Sequence, residues 1–550
     1  MKYNIVLLFP PFSAFSYIPS GLYGLEAFIK ANHPGIFVTT IDLNNHFLEK
    51  KVTSDKIHVL SQLCSICPEA KTGCQKLLRN KVNFSKKLTF VRSLRIGIKK
   101  YESLIIGDAK YYEKSIFSFD VFFKEIQSCL EKQIASYFRK PQKAIVHVFY
   151  NIFREEIETV IAQKPSLVGI SVFTQDQFLM TMMLTVLIKE RTAALIVLGG
   201  AFISILNPEE ILKAIPSVDC IVYNEGELGL LGLLRSFNNS SFSDVPNLVY
   251  RNGEKIVRTS AKNLYSMDTL PYLSIKTIPF HRYLLPRPVL AIGFSRGCYW
   301  RKCRFCSMFK GFGKTYKMKS PARFVDEIVY YYQHGIRNFI FNDESFPAAQ
   351  LNTISKAIIR KKLKIQYFFL ARPTRDYTPS VLNNIYNSGG RFVFWGVESG
   401  SQRMLDLINK GTESVDVARL LRQCEDIGFN SIAGIMKGIP GATKKDHRAN
   451  IQFLRDLEPY VYRYSLAKFR IEKSYMLENS KKFGILNIRP IVLLRVGRDR
   501  MIHSYYFNFD YKNDRDRYYF EKLEKIENKL NIIQAVSKKY IEHLLIQLAG

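Results

Sequence analysis

The segment Gly293-Phe-Ser-Arg-Gly-Cys298-Tyr-Trp-Arg-Lys-Cys303-Arg-Phe-Cys306-Ser places three cysteines in one short loop directly after a predicted strand. Thiolates are soft ligands that hold iron–sulfur clusters or zinc. A closed zinc site takes four protein ligands, and no fourth cysteine lies nearby. The spacing therefore favours a [4Fe–4S] cluster with one open iron. Zinc completed by a distant histidine is the alternative.

Short apolar runs alternate with amphipathic helical patterns from Leu290 to about Leu477. Their length and their β-branched and aromatic content are typical of buried parallel strands. Repeated βα units with polar residues at the strand ends predict a partial (β/α)6 barrel of the TIM type. The predicted strands are 290–294, 339–341, 366–370, 392–397, 431–436 and 461–467.

The amino-terminal half shows a second βα alternation. It predicts a doubly wound, Rossmann-like α/β sheet, whose ligands bind at the carboxyl ends of the strands. A hairpin that turns at Asn252-Gly253 follows the last parallel strand. The predicted parallel strands are 5–9, 37–42, 167–171, 195–199 and 220–223.

We expect four parts along the chain. These are a Rossmann-like domain over 1–258, a linker over 259–288, the barrel over 289–477 and an α-rich carboxyl-terminal extension over 478–550. A basic helical insertion at about 43–160 is too long for a regular connection, so it is a subdomain or a lid. It holds the basic patch Lys71–Lys100 and three cysteines without a fourth ligand, which we expect to be free thiols: Cys64, Cys67 and Cys74.

Composition restricts the class of protein only weakly. The 550 residues include 80 Lys and Arg against 48 Asp and Glu, a formal net charge of +32. Unless this charge is spread over solvated faces, it attracts nucleic acid, anionic lipid or an acidic substrate. Nine cysteines without a secretory signal favour thiol or metal chemistry over disulfides. No apolar run has the length of a membrane span, and we expect a cytoplasmic protein.

The cysteine loop, with Phe305 just before its last cysteine, resembles that of the radical S-adenosylmethionine (radical SAM) enzymes. Further motifs follow in the order of that family: Phe341-Asn-Asp-Glu-Ser-Phe346, Ala371-Arg-Pro-Thr374, Gly396-Val-Glu-Ser-Gly-Ser401, Asn409-Lys-Gly411 and Gly438-Ile-Pro-Gly441. Amino-terminal segments resemble the cobalamin-binding domain of one branch: Pro10-Pro-Phe12, Asp42, Gly169-Ile-Ser171, Gly199-Gly200 and Glu225-Gly-Glu227. The likeness leaves out only the basic insertion and the carboxyl-terminal tail.

The resemblance implies a mechanism. A [4Fe–4S] cluster held by Cys298, Cys303 and Cys306 would cleave S-adenosylmethionine reductively, and the resulting 5′-deoxyadenosyl radical would abstract hydrogen from an unactivated C–H bond. The implied S-adenosylmethionine contacts are Phe305, Arg372, Glu398, Ser399, Gly438 and Gly441, with Asp343 and Glu344 as further candidates. The implied cobalamin contacts are Asp42, Ser171, Gly199, Gly200 and Glu225. An electron donor such as flavodoxin or ferredoxin and a small-molecule, lipid or peptide substrate are the expected partners.

Some features depart from the family pattern. Four residues instead of three separate the first two cysteines of the loop, Lys437 replaces a usually apolar residue, and Ala442 stands where Glu is frequent. No Asp-x-His-x-x-Gly segment offers cobalt an axial histidine. Arg372 has a structural alternative, an ion pair with Glu344.

We expect cobalamin-dependent C-methyl transfer from these observations. A radical cyclase and a radical enzyme that modifies RNA are the alternatives within the family. A zinc-stabilised binding protein without catalytic activity is the alternative outside it.

Overall fold

A computed structural model of the chain describes residues 3–13, 18–46, 127–128, 130–237, 241–283, 287–307, 315–511 and 517–534. Most of the basic insertion, including its three cysteines and its basic patch, lies outside these residues, as does Cys129. The expectations about those parts of the chain stay predictions.

The amino-terminal sheet has seven strands in the order β2-β1-β3-β4-β5-β6-β7. The first five strands pair in parallel, and the last two add in antiparallel fashion as a hairpin that turns at Asn252-Gly253. The doubly wound sheet is thereby confirmed. The strands are β1 (Asn4–Phe9), β2 (Phe37–Asp42), β3 (Leu167–Ser171), β4 (Leu195–Gly199), β5 (Cys220–Val222), β6 (Leu248–Asn252) and β7 (Lys255–Arg258). The helices are α1 (Ser20–Asn32), α2 (Lys143–Ala162), α3 (Phe178–Lys189), α4 (Ala201–Ile205), α5 (Pro208–Ala214) and α6 (Gly226–Arg235).

Strand β1 is buried on both faces. Val6 and Leu8 belong to one apolar cluster, whereas Ile5 and Leu7 belong to a second cluster on the other side of the sheet. Successive side chains of a strand point to opposite faces, so a strand covered on both sides is apolar at every position. This explains why the run predicted as a strand lacks polar alternation.

The second sheet has six parallel strands, and it confirms the partial barrel. A two-stranded hairpin, β9 (Ser295–Arg296) with β10 (Lys317–Met318), separates its first strand from its first helix. The barrel strands are β8 (Val289–Ile292), β11 (Asn338–Phe341), β12 (Gln366–Ala371), β13 (Gly390–Glu398), β14 (Asn430–Lys437) and β15 (Arg463–Lys468). The helices are α7 (Pro321–Gln333), α8 (Ala348–Arg360), α9 (Pro379–Asn387), α10 (Gln402–Leu407), α11 (Ser414–Ile427) and α12 (Lys444–Leu457).

The carboxyl-terminal part is not simply helical. A long antiparallel hairpin, β17 (Ile485–Val496) with β18 (Arg500–Tyr511), pairs with the short strand β16 (Ile471–Glu472). The expectation of an α-rich extension missed this hairpin, which is rich in Ile, Val and Tyr and turns at Gly497 with a positive φ of 63°. Two helices, α13 (Tyr475–Glu478) and α14 (Arg517–Gln534), complete the described chain.

Apolar packing joins the parts of the chain. Leu494 and Ile502 of the hairpin are buried in a core cluster of the amino-terminal sheet, and Tyr23 of α1 is buried in the barrel core. Side chains of one domain that are buried in another domain's core fix the two sheets relative to each other. Within the described ranges no helix combines the length and the apolar character needed to cross a membrane.

Candidate active site between the two sheets

A cavity of about 350 Å³ lies where the carboxyl ends of the two sheets face each other. One wall comes from the amino-terminal sheet and includes Ser171, Gly199, Gly200 and Glu225. The other wall comes from the barrel and includes Gly293, Ser295, Arg296, Asn342 and Glu344. Ligands of both fold classes bind at the carboxyl ends of parallel strands, so this cavity is the candidate active site.

The turn after β4 shapes the amino-terminal wall. Gly200 has a positive φ of 99°, and a Cβ at this position would collide with the backbone of Val172. Glycine tolerates this conformation and lets a ligand approach the backbone closely. The structure therefore brings Ser171, Gly199, Gly200 and Glu225 together on one wall, and their contact with cobalamin stays a prediction.

Asp42 lies elsewhere. It does not line the cavity but accepts a hydrogen bond from the Tyr283 hydroxyl (3.0 Å) and two from Asn45 (3.1 Å each). Burial raises the pKa of Asp42 to about 6. The carboxylate thus ties the end of β2 to the linker before the barrel.

The three loop cysteines are half-buried, whereas Cys220 and Cys424 are buried in the core. Within the described part of the chain, no three His, Cys, Asp or Glu side chains are close enough together to hold a metal ion. Cys298, Cys303 and Cys306 are thus not gathered into a metal-ligand set in this structure, although Cys298 is close enough to Cys303 to act on the pKa of its thiol.

The surroundings of Cys303 fit an anionic thiolate-ligated cluster. Burial raises the pKa of the Cys303 thiol, while the nearby cations Lys410 and Arg372 act to lower it. The three half-buried thiols of the loop are donors of the kind that ligate iron–sulfur clusters, and the two buried cations beside Cys303 would offset the negative charge of such a site.

The cysteine loop rests on the Asn409-Lys-Gly411 motif. The Trp300 indole N–H donates to the Asn409 carbonyl (3.0 Å), and a Cβ on Gly411 would overlap the Trp300 ring. Arg301 takes a left-handed conformation (φ 50°) between the first two cysteines. The longer spacing between these cysteines is accommodated in this way, by one left-handed residue and one docked indole.

Arg372 supports the same motif from the end of β12. Its Nη2 donates to the carbonyl oxygens of Lys410 (2.6 Å) and Gly411 (3.2 Å), and its guanidinium lies 4.0 Å from the centre of the Trp300 ring. These groups are its partners, so the ion pair with Glu344 is not formed. Its buried Nε has no hydrogen-bond partner among the described residues and remains able to donate to a ligand.

Glu398 ends β13 in a left-handed conformation with φ 68°. Its Oε1 lies 2.8 Å from Nζ of the buried Lys410. Burial lowers the pKa of Lys410, but Glu398 and the Cys303 thiolate raise it overall, so this side chain is an ammonium. A strained, non-glycine backbone at a strand end is typical of functional sites. In the sequence Lys410 stands out only as part of the Asn409-Lys-Gly411 motif, and no role for its side chain was predicted.

The other residues expected at S-adenosylmethionine have different surroundings. Ser399 is fully buried, and its Oγ donates to Asn450 Oδ1 (2.8 Å). Phe305 packs in an apolar cluster with Met436 and Ile439. Gly438 and Gly441 have positive φ values of 79° and 84°. The structure therefore groups Arg372 and Glu398 around Cys303 through Lys410, and the roles of the others stay predictions.

The two acidic residues after β11 have separate environments. Asp343 is buried, accepts hydrogen bonds from the backbone N–H groups of Phe294 (3.1 Å) and Ser295 (2.5 Å), and has a pKa raised to about 6 by burial. It therefore fixes the end of the strand that leads to the cysteines. Glu344 lines the cavity, where burial and the nearby carboxylates Asp343 and Glu472 raise its pKa.

Glu344 differs from the other charged residues of the cavity wall. The others are paired: Glu225 with Lys317, Glu227 with Arg296, and Glu327 with Lys319. Glu344 alone among these lining residues has neither an ion pair nor a hydrogen bond in the described part of the chain. A carboxylate without such a partner in a partly enclosed cavity is suited to accept a hydrogen bond from a ligand.

Comparison with known proteins agrees with this geometry. The model of the radical SAM superfamily matches residues 292–454, so the barrel is a radical SAM domain. It is 24% identical over 309 residues to the uncharacterized methyltransferase PH0819 of Pyrococcus horikoshii, covering 55% of this chain and 67% of that protein. It is 27% identical to the anaerobic magnesium-protoporphyrin IX monomethyl ester cyclase of Rubrivivax gelatinosus (57% and 58% covered). The chain thus spans about two thirds or less of these curated relatives.

Two solved structures share the overall fold. The radical S-adenosylmethionine methyltransferase TsrM from Kitasatospora setae, with cobalamin and a [4Fe–4S] cluster bound, superposes with a TM-score of 0.61 at 14% identity, over 96% of this chain and 91% of that one. The cobalamin-dependent radical enzyme OxsB, with aqua-cobalamin and S-adenosylmethionine bound, gives 0.61 at 15% identity over 99% and 72%. The arrangement of a Rossmann-like domain before a partial barrel is therefore shared across nearly the whole chain.

Proposed function

We propose that this protein is a cobalamin-dependent radical SAM methyltransferase that acts on an unactivated C–H bond of a small molecule, lipid or peptide. One observation carries the proposal: a single cavity is walled by the strand ends of both sheets, and the cysteine loop starts at its barrel wall. The relatives support it, because one is named hopanoid C-3 methylase, from Methylococcus capsulatus (28% identical, 37% of this chain and 41% of that protein covered).

The proposed cobalamin contacts line the amino-terminal wall of the cavity, whereas the proposed cluster and S-adenosylmethionine contacts lie outside the cavity lining, in and around the cysteine loop. Cys298, Cys303 and Cys306 would hold a [4Fe–4S] cluster, and the group of Arg372, Glu398 and Lys410 would bind polar parts of S-adenosylmethionine. Ser171, Gly199 and Gly200 would contact cobalamin. When bound, these cofactors would supply a carbon-centred radical and a transferable methyl group.

In this scheme the protein's own side chains bind and orient the cofactors and the substrate. Arg372 Nε is a free donor beside Cys303, and Lys410 holds Glu398 in place. Glu344 would accept a hydrogen bond from an amino or hydroxyl group of the substrate, because no residue of the described chain occupies it. The buried strand ends around the cavity would keep water from the reacting atoms.

We further propose a domain division of 1–258, 259–288, 289–477 and 478–550, with the last part mixed in secondary structure. We place the protein in the cytoplasm, with flavodoxin or ferredoxin as electron donor.

The test is anaerobic reconstitution with iron and sulfide in the presence of hydroxocobalamin, followed by iron and cobalt analysis and EPR spectroscopy. We expect about four irons per chain in the wild type, their loss in Cys303→Ala, and bound corrinoid in both proteins. Iron without corrinoid would refute cobalamin dependence. Zinc without iron would refute the radical mechanism.

Cyclisation is a second candidate, because a relative is named as a cyclase. Methyl-deuterated S-adenosylmethionine distinguishes the two reactions. Transfer of the label to a product supports methyl transfer, and a product that has lost hydrogen without gaining label supports ring formation.

A further inference from the structure

Two cations flank the base of the cysteine loop. Arg296 of β9 and Lys317 of β10 lie directly opposite each other in the hairpin that encloses residues 297–316. Both side chains reach across to the amino-terminal domain. Arg296 Nη2 lies 2.5 Å from Glu227 Oε1, and Lys317 Nζ lies 2.8 Å from Glu225 Oε2. We name these four residues the interdomain clamp.

The interdomain clamp is buried and closely connected. The side chains of Glu225 and Glu227 are 1% and 8% exposed, and those of Arg296 and Lys317 are 24% and 15% exposed. Glu225 also accepts from Arg296 Nη1 (3.2 Å) and from the backbone N–H of Leu264 in the linker (3.0 Å). Removing Arg296 would leave the buried Glu227 carboxylate without its ion pair, which strongly destabilises a contact of this kind.

The interdomain clamp is close to the first cysteine along the chain. Arg296 is two residues before Cys298, and the intervening Gly297 has a positive φ of 80° and packs so tightly that a Cβ would collide with the Thr315 carbonyl. The hairpin base therefore has little freedom to absorb a displacement. A shift of Glu225 or Glu227 would therefore reach the cysteine loop through Arg296 and Gly297.

Three of the four clamp residues also line the cavity. Glu225, Gly226 and Glu227 belong to its amino-terminal wall, and Arg296 and Gly297 belong to its barrel wall. A ligand bound there contacts the clamp directly. The clamp thus connects the place where cobalamin is proposed to bind with the loop that is proposed to hold the cluster.

We propose that the interdomain clamp positions the cysteine loop from the amino-terminal domain and couples occupancy of the cavity to the state of the cluster loop. This inference rests on the proposed function for the identity of the ligands. Glu225 and Glu227 are positioning residues in this scheme, not cobalamin ligands, and this revises the expected role of Glu225. Coupling of this kind is reciprocal: a filled cavity orders the loop, and an ordered loop strengthens binding in the cavity.

The first test needs no cofactor. Amide hydrogen exchange of the cysteine loop is measured by mass spectrometry in the wild type and in Glu227→Gln, Arg296→Gln and the double variant. We expect exchange about 10-fold faster in each single variant and no further increase in the double variant over Arg296→Gln, because Arg296→Gln already removes the pair with Glu227 together with the contact to Glu225. Arg296→Lys should restore part of the protection. The matched control is Arg258→Gln, which breaks the more exposed pair with Glu209 in the same domain and should leave the loop unchanged.

Unchanged exchange in folded Glu227→Gln and Arg296→Gln would refute the positioning role. If either variant fails to fold, Lys317→Gln replaces it and is judged by the same criterion. This readout is independent of cluster or corrinoid binding, so it separates failure of the clamp from failure of the proposed function.

The second test measures the coupling. Hydroxocobalamin is titrated by absorbance into apo protein and into cluster-loaded protein. We expect the loaded wild type to bind at least about 5-fold more tightly, and we expect this ratio to fall to near one in Glu227→Gln. The EPR spectrum of the reduced cluster should also respond to hydroxocobalamin in the wild type and not in the variant. An equal ratio and equal spectra in both proteins would refute the coupling.

Discussion

At the scale of single residues, Lys410 is the side chain whose role could not be predicted from the sequence. Its motif is visible in the sequence, but its contact with Glu398 arises because the fold brings the loop after α10 to the end of β13. Ser171, Gly199 and Gly200 were predictable because they follow strands directly. Asp42 also follows a strand, yet it turns towards Tyr283 instead of the cavity. Strand ends are visible in a sequence, whereas the direction of a side chain at a strand end depends on distant partners.

Replacing Lys410 tests the buried ion pair. Lys410→Met leaves the Glu398 carboxylate without its cation, and breaking such a pair costs about 3 kcal/mol of stability. Chemical denaturation of the cofactor-free protein measures the loss. The exposed Lys356 serves as control, since Lys356→Met should change stability by less than about 0.5 kcal/mol. A Lys410→Met protein as stable as the wild type would show that the pair contributes nothing.

Glu344 predicts a pH dependence. Its pKa is raised in the folded protein, so the folded state binds the proton more strongly than the unfolded state. The free energy of unfolding therefore falls as the pH rises from the pKa of Glu344 in the unfolded state to its higher pKa in the folded state. Glu344→Gln removes this cost, and we expect a higher Tm than the wild type at pH 8 and a smaller difference at pH 5. A lower Tm for Glu344→Gln at pH 8 would mean that the Glu344 carboxylate has a stabilising partner, contrary to the environment described above.

At the scale of elements, most strands and helices were predictable because both sheets are parallel and their strands are uniformly apolar. The hairpin of β17 and β18 was not predicted. Its strands are amphipathic only in part, and β18 packs on α5, where His503 contacts Glu210. Lys437, noted as a departure from the family, pairs with Glu524 of α14. A helix from the carboxyl-terminal extension thus accounts for a residue that the barrel alone does not explain.

The cysteine loop and the Gly411 turn should behave as one element. Gly411→Ala introduces a Cβ that overlaps the Trp300 ring at a position with φ of 67°. We expect the iron content after reconstitution to fall at least about 5-fold, because a displacement of about 1 Å at a preorganised site is sufficient to abolish its function. Trp300→Ala removes the overlap and also the anchor.

The double variant Gly411→Ala/Trp300→Ala identifies the cause. If the overlap is responsible, the double variant holds no less iron than Trp300→Ala, so the two effects are not additive. Additive losses would mean that the two residues act on the cluster independently. Gly253→Ala, at a hairpin turn with open space around it and φ of 61°, controls for backbone strain alone.

At the scale of the whole molecule, the sequence predicted two α/β domains in order but not their contact surface. The pairs that join them connect residues 92 and 69 positions apart, Lys317 with Glu225 and Arg296 with Glu227. No local pattern marks such pairs, because each partner is an ordinary charged residue in its own segment. The cavity is likewise a product of the assembled domains, since neither sheet encloses it alone.

A ligand in a cavity between two domains should stabilise both domains together. In this scheme hydroxocobalamin binds the folded state and not the unfolded state. At 100 times its Kd it would therefore raise the free energy of unfolding by about 2.7 kcal/mol. We therefore expect a single thermal transition of the wild type to move up by several degrees. Gly200→Ala places a Cβ against the backbone of Val172 in the cavity wall, and it should abolish the shift. Gly253→Ala is the control. Because Ala is strained at this positive φ, the variant should lose about 1 kcal/mol of stability, but hydroxocobalamin should raise its Tm as much as that of the wild type. A full shift in folded Gly200→Ala would mean that the ligand binds elsewhere, because no ligand is able to approach that turn once its backbone has moved.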